Sequence, residues 1–385
     1  MHVARKLVLA GAIVVLSACS TLSSLNPFSG KGAPRNPPAE LTEFKQSMPV
    51  RAAWSVSVGS AADVDFSPAV LDGNVYAASA DGTIVRIEGL SGNVAWRVNA
   101  GAKLTGGVGV GGNIVVVAAE KGVLLAYDLD GKQRWKTQAP SEVLSAPAVA
   151  GGVVIAHSVD NRITAFDADS GNKRWTVQRT APALTLRSAP GIAVSGLTAY
   201  AALPGGRLLA VAANNGGPRW ETLVGEPRGA TELERIADVS GTPLVLGRDV
   251  CAVAFQGRIA CFDAATGAAR WAKDFSSNVG LAGDERFVFA ADDQGAVSAF
   301  ARETGASVWR STKLANRRLS TPLSFGRAVA VGDYQGYIHF LSREDGTMLA
   351  RIATDGSQVI GTPQVVRSYA VFQTQAGTVV ALSND

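Results

Sequence analysis

The sequence predicts an all-β fold, an eight-bladed β-propeller of four-stranded antiparallel blades. Three observations carry that expectation: a repeat close to 40 residues, tryptophans that mark it, and chain ends that are complementary fragments of one repeat. A period near 40 with four strands per unit belongs to propellers. The repeat is clearest in Ser145–Gln178, SAPAVAGGVVIAHSVDNRITAFDADSGNKRWTVQ. Its first strand runs from Ala146 to Val149 around Pro147, and the second is Val153–His157, led in by Gly151-Gly152. The third, Arg162–Asp167, alternates Ile163 and Ala165 with Arg162 and Thr164. Asp169-Ser170-Gly171 turns the chain into the fourth, Lys173–Val177, which carries Trp175. Apolar runs this short, bounded by Gly, Asn and Asp, favour strand over helix. Asx and Gly residues supply the turns between them.

Trp54, Trp96, Trp135, Trp175, Trp220, Trp271 and Trp309 fall at corresponding points, 42, 39, 40, 45, 51 and 38 residues apart. One more unit, Ser320–Thr354, keeps the pattern with Ala350 in the tryptophan position. Seven complete units start near Ser67, Gly106, Ser145, Ser188, Ser240, Val279 and Ser320. The last stretch, Gly361–Leu382, holds three strands and then the chain ends, while Arg51–Val58 is a tryptophan strand with no blade before it. Pairing the two closes a ring of eight and removes two sheet edges that would invite aggregation.

Residues 1–18 precede the fold. Arg5 and Lys6 lead into an apolar run, Leu7–Leu16, too short to span a bilayer and the length of a signal-peptide core. Leu16-Ser17-Ala18-Cys19 resembles the lipobox of bacterial lipoproteins, which implies cleavage before Cys19 and lipid on its sulfur and new amino group. Ser20 after that cysteine implies an outer-membrane destination on the periplasmic face. Residues 19–49, with Pro27, Pro34, Pro37, Pro38 and Pro49, read as a lipid-anchored flexible tether, with a helical turn over Glu40–Ser47. The propeller is expected over 50–385. Without Arg5 and Lys6 the charge balance is 34 minus 32, or +2. No basic cluster interleaved with aromatics points to nucleic acid.

Most residue types that could carry chemistry are explained by the repeat. The tryptophans start the outermost strands, where a large ring can pack on the neighbouring blade. Asp128, Asp167 and Asp263 precede blade turns, where a carboxylate accepts from turn amides. Asp128-Leu129-Asp130-Gly131 faintly resembles the start of a calcium loop but lacks the further ligands and closing Glu. Asp292-Asp293 sits where other blades have Asp81-Gly82 or Asp160-Asn161, so turn chemistry accounts for it. After the signal peptide only His157 and His339 remain, too few and scattered for a zinc site, and neither a GxSxG elbow nor a P-loop is present. Cys251 and Cys261 flank a hairpin centred near Gln256 and stand opposite each other. A cross-strand disulfide and a pair of reduced core thiols both satisfy that placement.

The two longest steps interrupt this regularity. One excess lies in Thr180–Arg187 (TAPALTLR) and the other in Gly225–Val239 (GEPRGATELERIADV). Both fall between an outer strand and the next inner strand, so both loops emerge on one face in adjacent positions of the ring. Thr231–Glu234 is a capping-box pattern and predicts a short helix from Glu232. Apolar Leu184 and Leu186 beside charged Arg187, Glu234, Arg235 and Asp238 form the mixture a protein-binding patch uses.

Lipobox, proline-rich tether, tryptophan-marked blades and the loops LTLR and TELERIADVS together resemble the BamB family, propeller lipoproteins of the bacterial outer-membrane β-barrel assembly machinery. The resemblance covers essentially the whole mature chain. It implies a non-enzymatic scaffold, without cofactor or metal, that binds the POTRA domains of the central barrel subunit, BamA. It also implies help in delivering and inserting outer-membrane barrel proteins, with unfolded barrel proteins as further ligands. The family's contact residues carry over to Leu184, Leu186, Arg187 and Asp238. Ser240 stands where the family commonly has a second acidic residue, which removes or weakens one polar contact. Two rival readings share the fold: a quinoprotein dehydrogenase of the PQQ type, which needs a calcium site and an Asp base, and a periplasmic glycan-binding propeller, whose aromatic platform would fall to Tyr334 or Tyr337.

Overall fold

The structure, a computed structural model, describes residues 36–186 and 190–384. Eight four-stranded antiparallel sheets form eight blades, as expected. Seven are built from consecutive strands, and in the eighth Arg51–Ser57 pairs with the chain's last strand, Thr378–Ser383, in the register Arg51↔Ser383 to Ser57↔Thr378. The blades are numbered here from the one that follows Arg51–Ser57, so this closing blade is blade eight.

Burial explains the sequence pattern of each strand position. The second strand of a blade is buried on both faces, so Ile114–Ala119 and Val153–Ser158 read as continuous rather than alternating runs. Val115 and Val117 face blade one beside Tyr76 and Ile84, while Ile114 and Val116 face blade three beside Val154 and Phe166. The core is therefore a ring of apolar layers between neighbouring blades. Outer strands have one wet face, and Lys173–Gln178 buries Trp175 while exposing its flanking residues.

All seven tryptophans do the same work. Each indole Nε1–H donates to a backbone carbonyl in the next blade, at 2.6–3.0 Å, reaching Gly89, Leu129, Ala168, Ala213, Ala264, Arg302 and Arg343 in turn. Each ring lies on the glycine of that blade's last turn. At Gly92, Gly131, Gly171, Gly216, Gly267, Gly305 and Gly346, φ is +68 to +84°, and an added Cβ would meet the ring at 3.0 Å or less. Ala350 has no such target, because the third and fourth strands of blade eight are the two chain ends and no turn joins them. A tryptophan there would find neither carbonyl nor glycine.

Met48 fills that position instead. It is buried with Leu349, Ala350 and Leu382. It ends a segment that differs from the tether expected over 19–49, since the compact propeller unit begins at Ala39. Ala39 N–H donates to Ala315 O (2.8 Å) and Ser47 N–H to Leu349 O (2.9 Å). Arg317 Nη1 donates to Ala39 O (2.9 Å) and Arg351 Nη2 to Thr42 O (3.2 Å), with the Arg351 guanidinium over the Phe44 ring. The helical turn expected over Glu40–Ser47 is not formed. A lone turn is costly to nucleate, whereas the extended chain sets Leu41 against one core layer and Met48 into another. The segment runs down the outside of blade seven, antiparallel to Met348–Ala353, before the chain turns up into blade eight.

Cys251 and Cys261 are directly opposed in blade five and joined by a disulfide, both fully buried. The blade-turn aspartates are occupied as turn chemistry requires. Asp128 accepts from Asp130 N–H and Lys132 N–H, Asp167 from Asp169 and Ser170, and Asp263 from Ala265 and Thr266. Asp292 likewise accepts from Gln294 N–H and Ala296 N–H.

Candidate partner-binding face

In an up-and-down blade, the links between blades and the turns between second and third strands share one face. The two long loops leave blades three and four on that face, each after an outer strand, Lys173–Gln178 and Pro218–Leu223. Leu184 stands 47% exposed in the first. Leu186 is half-buried, because its N–H donates to Asp238 Oδ2 at 2.5 Å. Arg187 and Cys19 lie outside the described residues.

The second loop is braced from within by its own polar side chains. Asp238 is 2% exposed, and its other oxygen accepts from Gly205 N–H at 2.9 Å. Its carboxylate thus ties the first loop to the second-to-third-strand turn of blade four. Glu234 accepts from Ala230 N–H (2.8 Å) and Thr231 N–H (3.0 Å), while its own N–H donates to Thr231 Oγ1 (3.3 Å). Those bonds, led by the Thr231 amide, hold the Glu234 carboxyl below its ordinary value. The capping box is therefore made, but it closes a single turn, Glu232–Arg235, rather than the expected helix. The next residues, Ile236 and Ala237, are pulled into the core and end it. Arg235 Nε donates to Gly229 O at 3.0 Å, inside the same loop. Ser240 is buried, and its hydroxyl donates to Ser277 O in blade six's entry segment at 2.8 Å, so it ties blades together and does not reach the loop face.

A cavity of about 140 Å³ lies beneath the first loop, lined by Leu144, His157, Val159, Leu186, Pro190 and Asp238. His157 Nε2 lies 3.1 Å from Asn161 Oδ1 and donates to it, since the Asn161 amide nitrogen donates to the Arg179 and Thr180 carbonyls. Burial holds the His157 imidazole below its ordinary value and so favours the neutral ring. Two exposed apolar residues join the face that the sequence reading did not select: Val159, 54% exposed, and Leu233, 68% exposed. Val159 was legible as an apolar residue inside a turn, and Leu233 as the one apolar residue in a capping box.

One residue that the glycan-binding reading would use is engaged elsewhere. Tyr334 lies under the Arg317 guanidinium, 5.2 Å from its ring centroid, so it offers no open platform. Among the described residues no group of three or more His, Cys, Asp or Glu side chains is placed to hold a metal ion. No helix among them is long and apolar enough to cross a membrane.

Fold and face together define an eight-bladed, tryptophan-latched propeller with two elaborated loops on one face. A family model described as outer membrane protein assembly factor BamB matches residues 80–311 and 293–385. The BamB of Bordetella pertussis is 44% identical over 368 residues, 95% of each chain. That of Burkholderia pseudomallei is 41% identical over 371 residues, 96% of this chain and 95% of its own. The crystal structure of BamB from Moraxella catarrhalis superposes with a TM-score of 0.79 at 28% identity, covering 87% of this chain and 99% of that one. A quinohemoprotein alcohol dehydrogenase from Comamonas testosteroni matches with a TM-score of 0.69 at 14% identity, over 86% of this chain and 76% of its own, a likeness of fold alone. The chain belongs to the BamB family of outer membrane protein assembly factors. Its role lies in outer-membrane protein assembly, in association with the outer membrane.

Proposed function

We propose that the chain is a non-enzymatic scaffold that docks on the POTRA domains of the assembly machinery's central barrel subunit through the Thr180–Arg187 loop, and so assists delivery and insertion of barrel proteins. The observation that carries this reading is the placement of exposed Leu184 on a loop whose backbone is fixed from below by a buried carboxylate, Asp238. A held loop presenting an apolar anchor with polar residues around it suits a preorganised docking site. Leu184 and Arg187 make the contact. Leu186 and Asp238 set its shape, and Glu234 and Arg235 stiffen the neighbouring loop that presents Leu233. Lipid on Cys19 would hold the propeller at the periplasmic face of the outer membrane, and intact mass of the mature protein checks it.

Replacing Leu184, Leu186 and Arg187 together by Ala is expected to abolish co-purification of the barrel subunit from detergent-solubilised envelopes while leaving Tm near wild type, since exposed loops contribute little to stability. A variant that folds normally and retains its partner at wild-type levels would place the docking face elsewhere.

A further inference from the structure

Asn161 occupies a place that the other blades treat differently. In the turn between second and third strands, blades one, two, four, six, seven and eight have Gly82, Gly122, Gly206, Gly295, Gly336 and Gly377 at the corresponding point, all at positive φ. In each of the six, an added Cβ would come closer than 3.0 Å to a carbonyl oxygen of the link leading to the next blade: Ala102, Ser141, Gly225, Leu314, Ser357 and Gly59 respectively. The link is pressed onto the turn and leaves no room for a side chain. Blade five uses a tighter turn with Gln256 at φ +49°.

Among the seven blades that share the longer turn, blade three alone has a side chain at that point. Asn161 keeps the left-handed conformation, φ +61°, and the repeat's usual bond, with Arg179 N–H donating to its carbonyl at 3.2 Å. Asparagine tolerates this region better than other side chains do, yet glycine would suit it better still. Its amide is 3% exposed and fully used: Nδ2 donates to Arg179 O (3.2 Å) and Thr180 O (3.4 Å), and Oδ1 accepts from His157 Nε2 (3.1 Å). Those two carbonyls begin the loop that carries Leu184 and Leu186. The cavity beneath that loop is lined by His157 and Asn161.

We infer that Asn161, oriented by His157, is a positioning residue that lifts the first loop off the blade and fixes its starting point, so that Leu184 is presented outward and Leu186 roofs the cavity rather than being pressed onto the turn. The inference deepens the docking role proposed above and rests on it for its effect on binding, though not for its effect on the loop. Asn161 sets the near end of the loop, and Asp238, through the Leu186 amide, holds it further along. Where six other blades have a glycine, this turn carries a side chain with two donors and one acceptor and serves as a pedestal.

Asn161→Gly restores the residue of the six other blades, so it is compatible with the backbone and is expected to fold with Tm within about 3 °C of wild type. Hydrogen exchange should show the Leu186 amide losing at least about tenfold of its protection while amides of the blade cores are unchanged. Affinity for the purified periplasmic portion of the barrel subunit should weaken about tenfold or more. Asn161→Asp keeps shape and left-handed tolerance but turns an acceptor toward the Arg179 and Thr180 carbonyls, and should lose Leu186 protection as the glycine variant does. Unchanged Leu186 protection in Asn161→Gly, or wild-type protection in Asn161→Asp, would overturn the inference. Lost protection with undiminished affinity would confirm the positioning role and count against the docking proposal instead.

Discussion

Trp175 packs its ring on Gly216 and donates its Nε1–H to Ala213 O at 3.0 Å, so one side chain seals a layer and fixes the height of the next blade. Its area and its bond are both lost on truncation, and the cavity lies between two sheets that cannot close independently. Trp175→Ala should cost about 3–5 kcal/mol, read as a lower denaturant midpoint, with partner binding lost only through unfolding. A midpoint unchanged from wild type would show that the latch is redundant. The tryptophan role was legible from spacing, because seven equal residues at one point of a repeat serve the repeat. The roles of Asp238 and Glu234 were not. Sequence shows charge beside apolar residues, but not that Asp238 is sealed under the amides of Leu186 and Gly205. A charged residue in a loop reads as a contact until its partners are located in space.

Among elements, the segment Ala39–Met48 shows where periodicity ceases to inform. It carries no repeat and several prolines precede it, so composition gives a tether. Its placement depends on a vacancy created far along the chain, at Ala350, and only the folded ring brings the two together. Met48→Ala should cost about 2–5 kcal/mol. A chain starting at Ala39 should melt with the mature protein, and one starting at Pro49 clearly below it. Equal melting of the two truncated chains would mean that the segment lies on the blade without supporting it. The capping box at Thr231–Glu234 carries the complementary lesson: its local bonds form as the sequence says, but the core's demand for Ile236 and Ala237 decides how far the helix runs.

At the scale of the whole molecule, two buried histidines contribute acid sensitivity above the range where carboxylates titrate. Burial is the main cause that holds His157 and His339 below the ordinary histidine value, for His339 even against the attraction of Asp333 at 2.8 Å. Arg317 and Arg351 add to that lowering. At these two positions the unfolded chain therefore binds more protons than the folded one below about pH 6.5. The stability these residues contribute is complete above that pH and is lost as pH falls through their lowered folded values. Asp333 itself is raised by burial but pulled lower overall by its bonds to His339 and Arg317, so its contribution persists to pH below the ordinary carboxylate range. Urea midpoints should drop between pH 7.5 and 5, and His339→Gln should flatten part of that slope. A midpoint constant over the range would show that neither ring titrates with unfolding. The path of the chain before the ring has a mechanical consequence. A pull arriving from the residue 38 side does not peel Arg51–Ser57 away from Thr378–Ser383 one bond at a time. It is met first in shear, along a strip where Arg317, Arg351 and Leu349 grip successive points of Ala39–Ser47. The joint that closes the ring carries no load until that grip has failed.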